Sequence, residues 1–300
     1  RQCCRGRLTQ TPGYPKYDQG YFLAIARRRH DTSRGAGQSE TEMAEPRKTN
    51  KTKNDIAETT AEQRPNLPLF YRDPRPLNNA RHVGKSIKSE PEFSFAAATN
   101  AVPITVMEFT RIARHYPIVF TTGNPVTPVA VLGLRNDQNS FISTKGDWAK
   151  GCYIPAYVRR YPFILMESPD RLQYKLCVDE ASNLLVEGDG KPLFDGDEPS
   201  EITKDALQFC SAYHGEHAFT LEFTAALEKF GLLVDNRADV SLETGEKLAL
   251  GGFRMVEEAK FTALPDDVFL DWRQRGWVPL VYCHLLSMGN WQALAELANE

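Results

Sequence analysis

Three clusters in this 300-residue chain hold residue types that chemistry needs. The first is Tyr213-His214-Gly215-Glu216-His217. Two imidazoles at i and i+3 of a helix lie on neighbouring sides and could share a divalent metal. The spacing is not that of HExxH, Gly215 weakens a helix there, and a third ligand such as Glu222 or His284 would have to arrive through folding. Surface or interfacial histidines fit better, so no metal is expected. The second cluster is the acidic run Glu187 to Glu198. A calcium loop would want an oxygen ligand where Lys191 stands and Gly where Pro192 stands, so a solvated acidic loop is expected. The third is Cys283, His284 and Ser287. Adjacent helical residues diverge by about 100°, so Cys283 and His284 do not form a nucleophile–base pair by themselves. Ser287 lies one turn after His284, where helix packing is its expected role. G-x-S-x-G, S-x-x-K and P-loop patterns do not occur, and Gly251-Gly252 is isolated. The chain therefore points to no catalytic residue and no cofactor, and leans away from an enzyme.

A fourth constellation suits recognition: Asp147-Trp148, Tyr153, Tyr157 and Arg159-Arg160-Tyr161. Aromatics mixed with Arg can hold a carboxylate, a sugar or a peptide, and they equally suit a protein–protein contact. The same residues could instead cover a sheet edge, with an Arg paired to a body carboxylate. Pro155 and Pro162 stiffen both flanks of this short segment. Alternation along an extended segment predicts one of Arg159 and Arg160 inward and the other outward. Asp179, at the end of the next strand, is the expected partner of the inward one. The ligand- or partner-binding candidates are thus Trp148, Tyr153, Tyr157, Arg159, Arg160 and Asp179.

The elements that must position these residues read as follows. Order is expected from Pro68–Tyr71 onward, with polar Asn78–Lys88 along the surface. Thr105–His115 is a short helix with Val106, Phe109, Ile112 and Ala113 at helical spacing and a Thr105/Glu108 capping box. Ile118–Thr121 and Val129–Leu134 are strands across a Gly123-Asn124-Pro125 turn, and Asn139–Ser143 is a further short strand. Phe163–Glu167 and Leu172–Asp179 form a hairpin, and Glu187–Ser200 is turn chemistry. Lys204–Phe230 is the longest helix, with Leu207, Cys210 and Leu221 on one apolar face, Phe209, Tyr213, Phe223, Leu227 and Phe230 on a second stripe, and Gly231 as its C-cap. Strands follow at Val240–Leu242, Lys247–Leu250 and Phe253–Val256. Pro265–Arg275 is a helix with acids first and Arg last, and Pro279–Leu297 is helical with a break at Gly289. Strands grouped early and helices gathered late give an α+β fold. Its expected form is an antiparallel-rich sheet with one long central helix and a helical C-terminal part.

Composition limits the partners. Residues 1–42 hold eight Lys/Arg against four Asp/Glu, so a net charge of −3 leaves the rest of the chain at −7. An acidic body avoids phosphate backbones, and no nucleic acid is expected. No apolar run approaches the roughly 18 residues that span a bilayer, so no transmembrane segment is expected. The six cysteines include no CxxC pair, which excludes a zinc ribbon or thioredoxin-like motif and suits buried thiols in a reducing compartment. Residues 1–64 are expected to be a disordered basic and polar extension before one domain at 65–300. The first methionine is Met43, the expected natural start, so that residues 1–42 lie upstream of it. Tyr21–Ala26 is too short for a signal-peptide core, which implies a cytoplasmic location.

Several stretches carry a family resemblance. They include Leu67-Pro68-Leu69-Phe70-Tyr71, Tyr116-Pro117-Ile118-Val119-Phe120 and Pro128-Val129-Ala130-Val131-Leu132-Gly133-Leu134. Tyr153-Ile154-Pro155-Ala156-Tyr157-Val158-Arg159-Arg160-Tyr161-Pro162-Phe163 is the most specific, and His284-Leu285-Leu286-Ser287-Met288-Gly289-Asn290-Trp291 closes the series. In this order, from about residue 66 to 295, the chain resembles the bacterial SapC family. The resemblance implies association with the bacterial surface layer or envelope, and it brings no catalytic residues with it. His214 and His217 lie outside its pattern. The expected function is non-catalytic binding of a protein or ligand in that setting. The alternatives are a cytoplasmic accessory protein of outer-membrane uptake systems, or an enzyme of unassigned class with a pocket near Trp148–Arg160.

Overall fold

The computed structural model describes residues 67–168, 173–241 and 245–298. The expectations for residues 1–64, Met43 included, fall outside them, as do Leu172 and Leu242. Along the chain come β1 (Pro74–Pro76), α1 (Asn79–His82), β2 (Lys85–Ile87) and a 3-10 turn at Ser94–Ala96. Then come β3 (Ala101–Pro103), a 3-10 turn Val106–Glu108 running into α2 (Phe109–Ile112), β4 (Ile118–Thr121), β5 (Pro128–Val131) and α3 (Ala156–Arg159). The hairpin β6 (Phe163–Glu167) and β7 (Tyr174–Asp179) precedes β8 (Leu185–Glu187), β9 (Lys191–Pro192), β10 (Phe194–Asp195) and β11 (Glu198–Pro199). The long helix α4 (Glu201–Lys229) leads to β12 (Leu233–Ser241) and β13 (Lys247–Val256). Helices α5 (Glu258–Thr262), α6 (Asp266–Gln274), α7 (Trp277–Ser287) and α8 (Asn290–Leu297) complete an α+β fold.

The central sheet has the order β12-β13-β4-β5-β3, with every neighbouring pair antiparallel. Successive strand residues face opposite sides. Ile118, Val119, Phe120, Val129, Ala130 and Val131 are all fully buried, so β4 and β5 are covered on both faces. That is why their sequence is continuously apolar rather than alternating. β12 occupies the sheet edge, and its Asp235-Asn236-Arg237 stretch is exposed. An edge strand tolerates such charge, which is why only its last residues read as strand in the sequence. Smaller antiparallel sheets, β1-β7-β6 and β8-β2-β9, share an apolar cluster with the N-terminal half of α4 that includes Ile87, Leu165, Leu185, Ala206 and Cys210.

Helix α4 turns Cys210, Tyr213, His217, Thr220, Phe223 and Leu227 inward, at spacings of three and four that trace one helical stripe. Leu207, expected on an apolar face, is exposed, because it lies off that stripe. Gly231 ends the helix at φ 64°. Its N–H donates to the Glu228 carbonyl at 2.9 Å and the Leu232 N–H to the Leu227 carbonyl at 3.0 Å, the paired bonds of a Schellman stop.

Other elements depart from expectation. Asn78–Lys88 lies largely at the surface, as expected, but β2 is paired on both sides, and His82, Ser86 and Ile87 are buried. Tertiary partners explain this, since the Ser86 hydroxyl donates to the Gly188 carbonyl at 2.9 Å and His82 Nε2 lies 3.1 Å from Glu180. Asn139–Ser143 makes only one bridge, Ile142 to Trp148. The Glu187–Ser200 run, expected as turns throughout, contributes the short strands β9 to β11 because neighbouring chain offers it partners. Pro265 precedes α6 as its N-cap instead of opening it.

Candidate functional site

The segment from Tyr153 to Phe163 is built around one carboxylate. The Glu108 side chain reaches back to the Thr105 N–H at 3.1 Å, as a capping box requires. Its other oxygen accepts the Ala156 N–H at 2.6 Å and the Tyr153 hydroxyl at 3.1 Å. A local cap therefore also fixes the start of α3, 48 residues on. Burial pushes the Glu108 carboxyl above its ordinary range, and the Ala156 and Thr105 N–H groups partly offset this. The Thr105 hydroxyl turns to Glu216 of α4 at 2.9 Å, so both helices are held to the same corner.

The two arginines divide as expected, for a different reason. Ala156–Arg159 is a helical turn and not an extended run, so neighbouring side chains are about 100° apart. Arg159 is exposed and Arg160 only 5% accessible. The Arg160 guanidinium lies 4.2 Å from the Tyr157 ring centre, 4.6 Å from Tyr213 and 5.7 Å from Tyr71. Asp179, the expected partner of the inward arginine, serves other groups. Its fully buried carboxylate accepts the Asp73 N–H at 2.7 Å, the Arg72 N–H at 3.2 Å and the Tyr161 hydroxyl at 3.0 Å. Two of those donors lie just before β1 and the third between α3 and β6, and no spacing in the sequence brings the first two to Asp179. Ring faces of Tyr157, Tyr213 and Tyr71 thus surround the Arg160 guanidinium, an arrangement that favours a planar cation.

Trp148 and Tyr157 belong to the main hydrophobic core. The Trp148 indole N–H donates to the Tyr116 hydroxyl at 3.1 Å, which donates to the Tyr153 carbonyl at 2.7 Å. Tyr157 is 2% exposed and its hydroxyl donates to the Leu69 carbonyl at 3.3 Å.

A cavity of about 510 Å³ opens beside this segment. Val158, Arg159, Arg160, Tyr161 and Phe163 form one wall, and Ile202, Ala206, Phe209 and Cys210 of α4 form another. Ile87 of β2, Phe93, Phe95 and Leu184 close it, with Lys88, Glu90, Glu92 and Asp205 among its polar groups. Of the six candidates read from the sequence, Arg159 and Arg160 line this cavity, whereas Trp148, Tyr153, Tyr157 and Asp179 do not. Tyr153 acts through Arg159: its hydroxyl accepts from Arg159 Nη2 at 2.8 Å, and its ring lies 5.4 Å from the guanidinium. Burial pushes the Cys210 thiol up to about 11 and the Tyr161 phenol up to about 12. The Phe95 and Tyr161 rings, 4.3 Å apart, also border a second recess of about 480 Å³ that includes Phe70 and Arg72. The α4 contribution was half legible as a second apolar stripe through Phe209 and Tyr213. Ile87 and Leu184 carried no signal, because strand pairing alone brings them here.

The histidines have structural environments. His217 is buried, and its pKa is pushed down to about 4, chiefly by burial. The His214 ring packs 4.5 Å from Tyr174. Among the described residues, no group of three His, Cys, Asp or Glu side chains could hold a metal ion. His284 Nδ1 donates to the Ile118 carbonyl at 2.8 Å while Nε2 accepts the Val256 N–H at 3.0 Å. The Ser287 hydroxyl accepts the Ile118 N–H at 2.9 Å and donates to the His284 carbonyl at 2.6 Å. Both side chains pin α7 to the central sheet, the packing role expected for Ser287.

Fold and site together define an α+β protein with an antiparallel core sheet and a lateral, mostly apolar cavity. Residues 77–294 match the SapC family model, and the chain belongs to the SapC family. No curated protein and no solved structure matches it.

Proposed function

We propose that this protein acts by binding rather than by catalysis, and that the cavity beside Arg159 holds a small ligand. The cavity itself carries the reading. Its volume of about 510 Å³ falls within the roughly 300–1,000 Å³ of small-molecule sites, and its walls combine apolar side chains with a few polar groups. The thiol and phenol in its walls stay protonated near neutral pH, which suits a container and not a nucleophile.

The test uses 4-phenylbutan-1-ol as an uncharged probe. Bound at about a hundred times its Kd, it should stabilise the fold by about 2.7 kcal/mol. For a domain of this size that is a Tm rise of roughly 5–10 °C. Ala206→Phe, placed in the α4 wall, should abolish the rise. No shift in the wild type, or the same shift in Ala206→Phe, would overturn the reading. The family name supports a bacterial surface-layer or envelope setting, and we include that setting in the proposal. Antibody fractionation of native cells tests it. Recovery only from the cell interior would favour an accessory protein of outer-membrane uptake systems instead.

A further inference from the structure

The charges around the cavity are not equally ordered. Glu92 is engaged by Lys88 at 3.1 Å and by Asn183 at 3.1 and 3.2 Å. Arg160 sits against Tyr157 and Tyr213. Glu90 and Asp205 are exposed and have no hydrogen bond or ion pair among the described residues, so water solvates them. Arg159 differs from all of these. Its Nε donates to the Ile154 carbonyl at 3.0 Å and Nη2 to the Tyr153 hydroxyl at 2.8 Å. Its guanidinium lies over the Phe209 ring at 5.0 Å and the Tyr153 ring at 5.4 Å. The side chain is thus held from two sides by protein that is itself fixed through Glu108.

Two of the five guanidinium donors are used, which leaves three. Among the described residues Arg159 forms no ion pair, and Glu108, whose charge it feels, stands behind the Tyr153 hydroxyl that contacts them both. A planar, pre-positioned fork with unused donors matches a carboxylate, and its ordering cost is met before the ligand arrives. Phe93, Phe95, Tyr161, Phe163 and Phe209 line the space beside it. Aromatic rings pack well against one another edge-to-face or offset. We infer that the cavity takes a small aromatic carboxylic acid, its ring among these side chains and its carboxylate on Arg159. This inference rests on the binding role proposed above and adds the charge and class of the ligand.

Calorimetric titration of the full chain with 4-phenylbutanoate, 4-phenylbutan-1-ol and 4-phenylbutylamine separates the two claims. The carboxylate should bind at least tenfold tighter than the alcohol, which corresponds to about 1.4 kcal/mol. The amine should bind weakest. Arg159→Met should erase the preference for the carboxylate over the alcohol, the ratio of the two affinities falling to about one, and a circular dichroism spectrum matching the wild type shows that the variant is folded. Arg159→Lys keeps the charge but not the fork and should fall between. Equal binding of acid and alcohol, preference for the amine, or an acid preference that survives Arg159→Met would overturn the carboxylate inference and leave the binding role intact. Failure of all three probes, or binding that Ala206→Phe does not weaken, would overturn both.

Discussion

His284→Leu tests the fold where helix and sheet are joined. In the wild type one imidazole satisfies the Val256 N–H and the Ile118 carbonyl, both inside the core. Leucine has similar bulk and can do neither. A buried N–H left without a partner costs about 1–3 kcal/mol, and the lost bond to Ile118 adds about 1 kcal/mol. The sum, about 3 kcal/mol, lowers Tm by roughly 6–12 °C in a domain of this size. A second signature separates this from ordinary core damage. Burial pushes the His284 pKa down to about 4, from an unfolded value near 6.5. Between those values the unfolded chain holds a proton that the folded one refuses, so stability is complete above pH 6.5 and declines as pH falls towards 4. The gap between about 4 and about 6.5 corresponds to roughly 3 kcal/mol. His217, also pushed down to about 4, contributes in the same direction. Urea denaturation followed by circular dichroism from pH 4 to 8 reads both effects. His284→Leu should be less stable at pH 7.5, with an acid limb shallower by about one proton. Ser287→Ala should cost stability and leave that limb unchanged. A loss below 1 kcal/mol, or an acid limb identical to wild type, would refute the reasoning.

Arg160→Ala removes a cation held against Tyr157 and Tyr213, each desolvated contact worth up to about 2 kcal/mol. It should cost about 3 kcal/mol by denaturant titration, whereas exposed Arg159→Ala should cost less than about 1 kcal/mol; equal effects would contradict the inward–outward division. Glu108→Ala leaves the Ala156 and Thr105 N–H groups without their carboxylate and should cost about 3 kcal/mol. Hydrogen exchange should quicken at Ala156, and an unchanged exchange rate there would show that the carboxylate does not hold α3.

The local signals were legible wherever one segment carries its own reason. Thr105 and Glu108 announce a cap, Gly231 a helix stop and the continuous apolar runs of β4 and β5 a strand buried on both faces. The family resemblance was legible too, because it rests on contiguous residues such as Tyr157-Val158-Arg159-Arg160-Tyr161-Pro162-Phe163. Partner choice was not. Asp179 and Arg160 looked like an ion pair by charge and nearness, yet the Asp179 carboxylate takes Arg72, Asp73 and Tyr161, and Arg160 lies against the faces of Tyr71, Tyr157 and Tyr213. The cavity belongs to the same class of fact. Ile87, Leu184 and Phe209 are unremarkable apolar residues until strand pairing and the angle of α4 set them around one space. Periodicity records which way a side chain faces from its own element. What it meets there depends on the packing of other elements, and that was decided only by the tertiary structure.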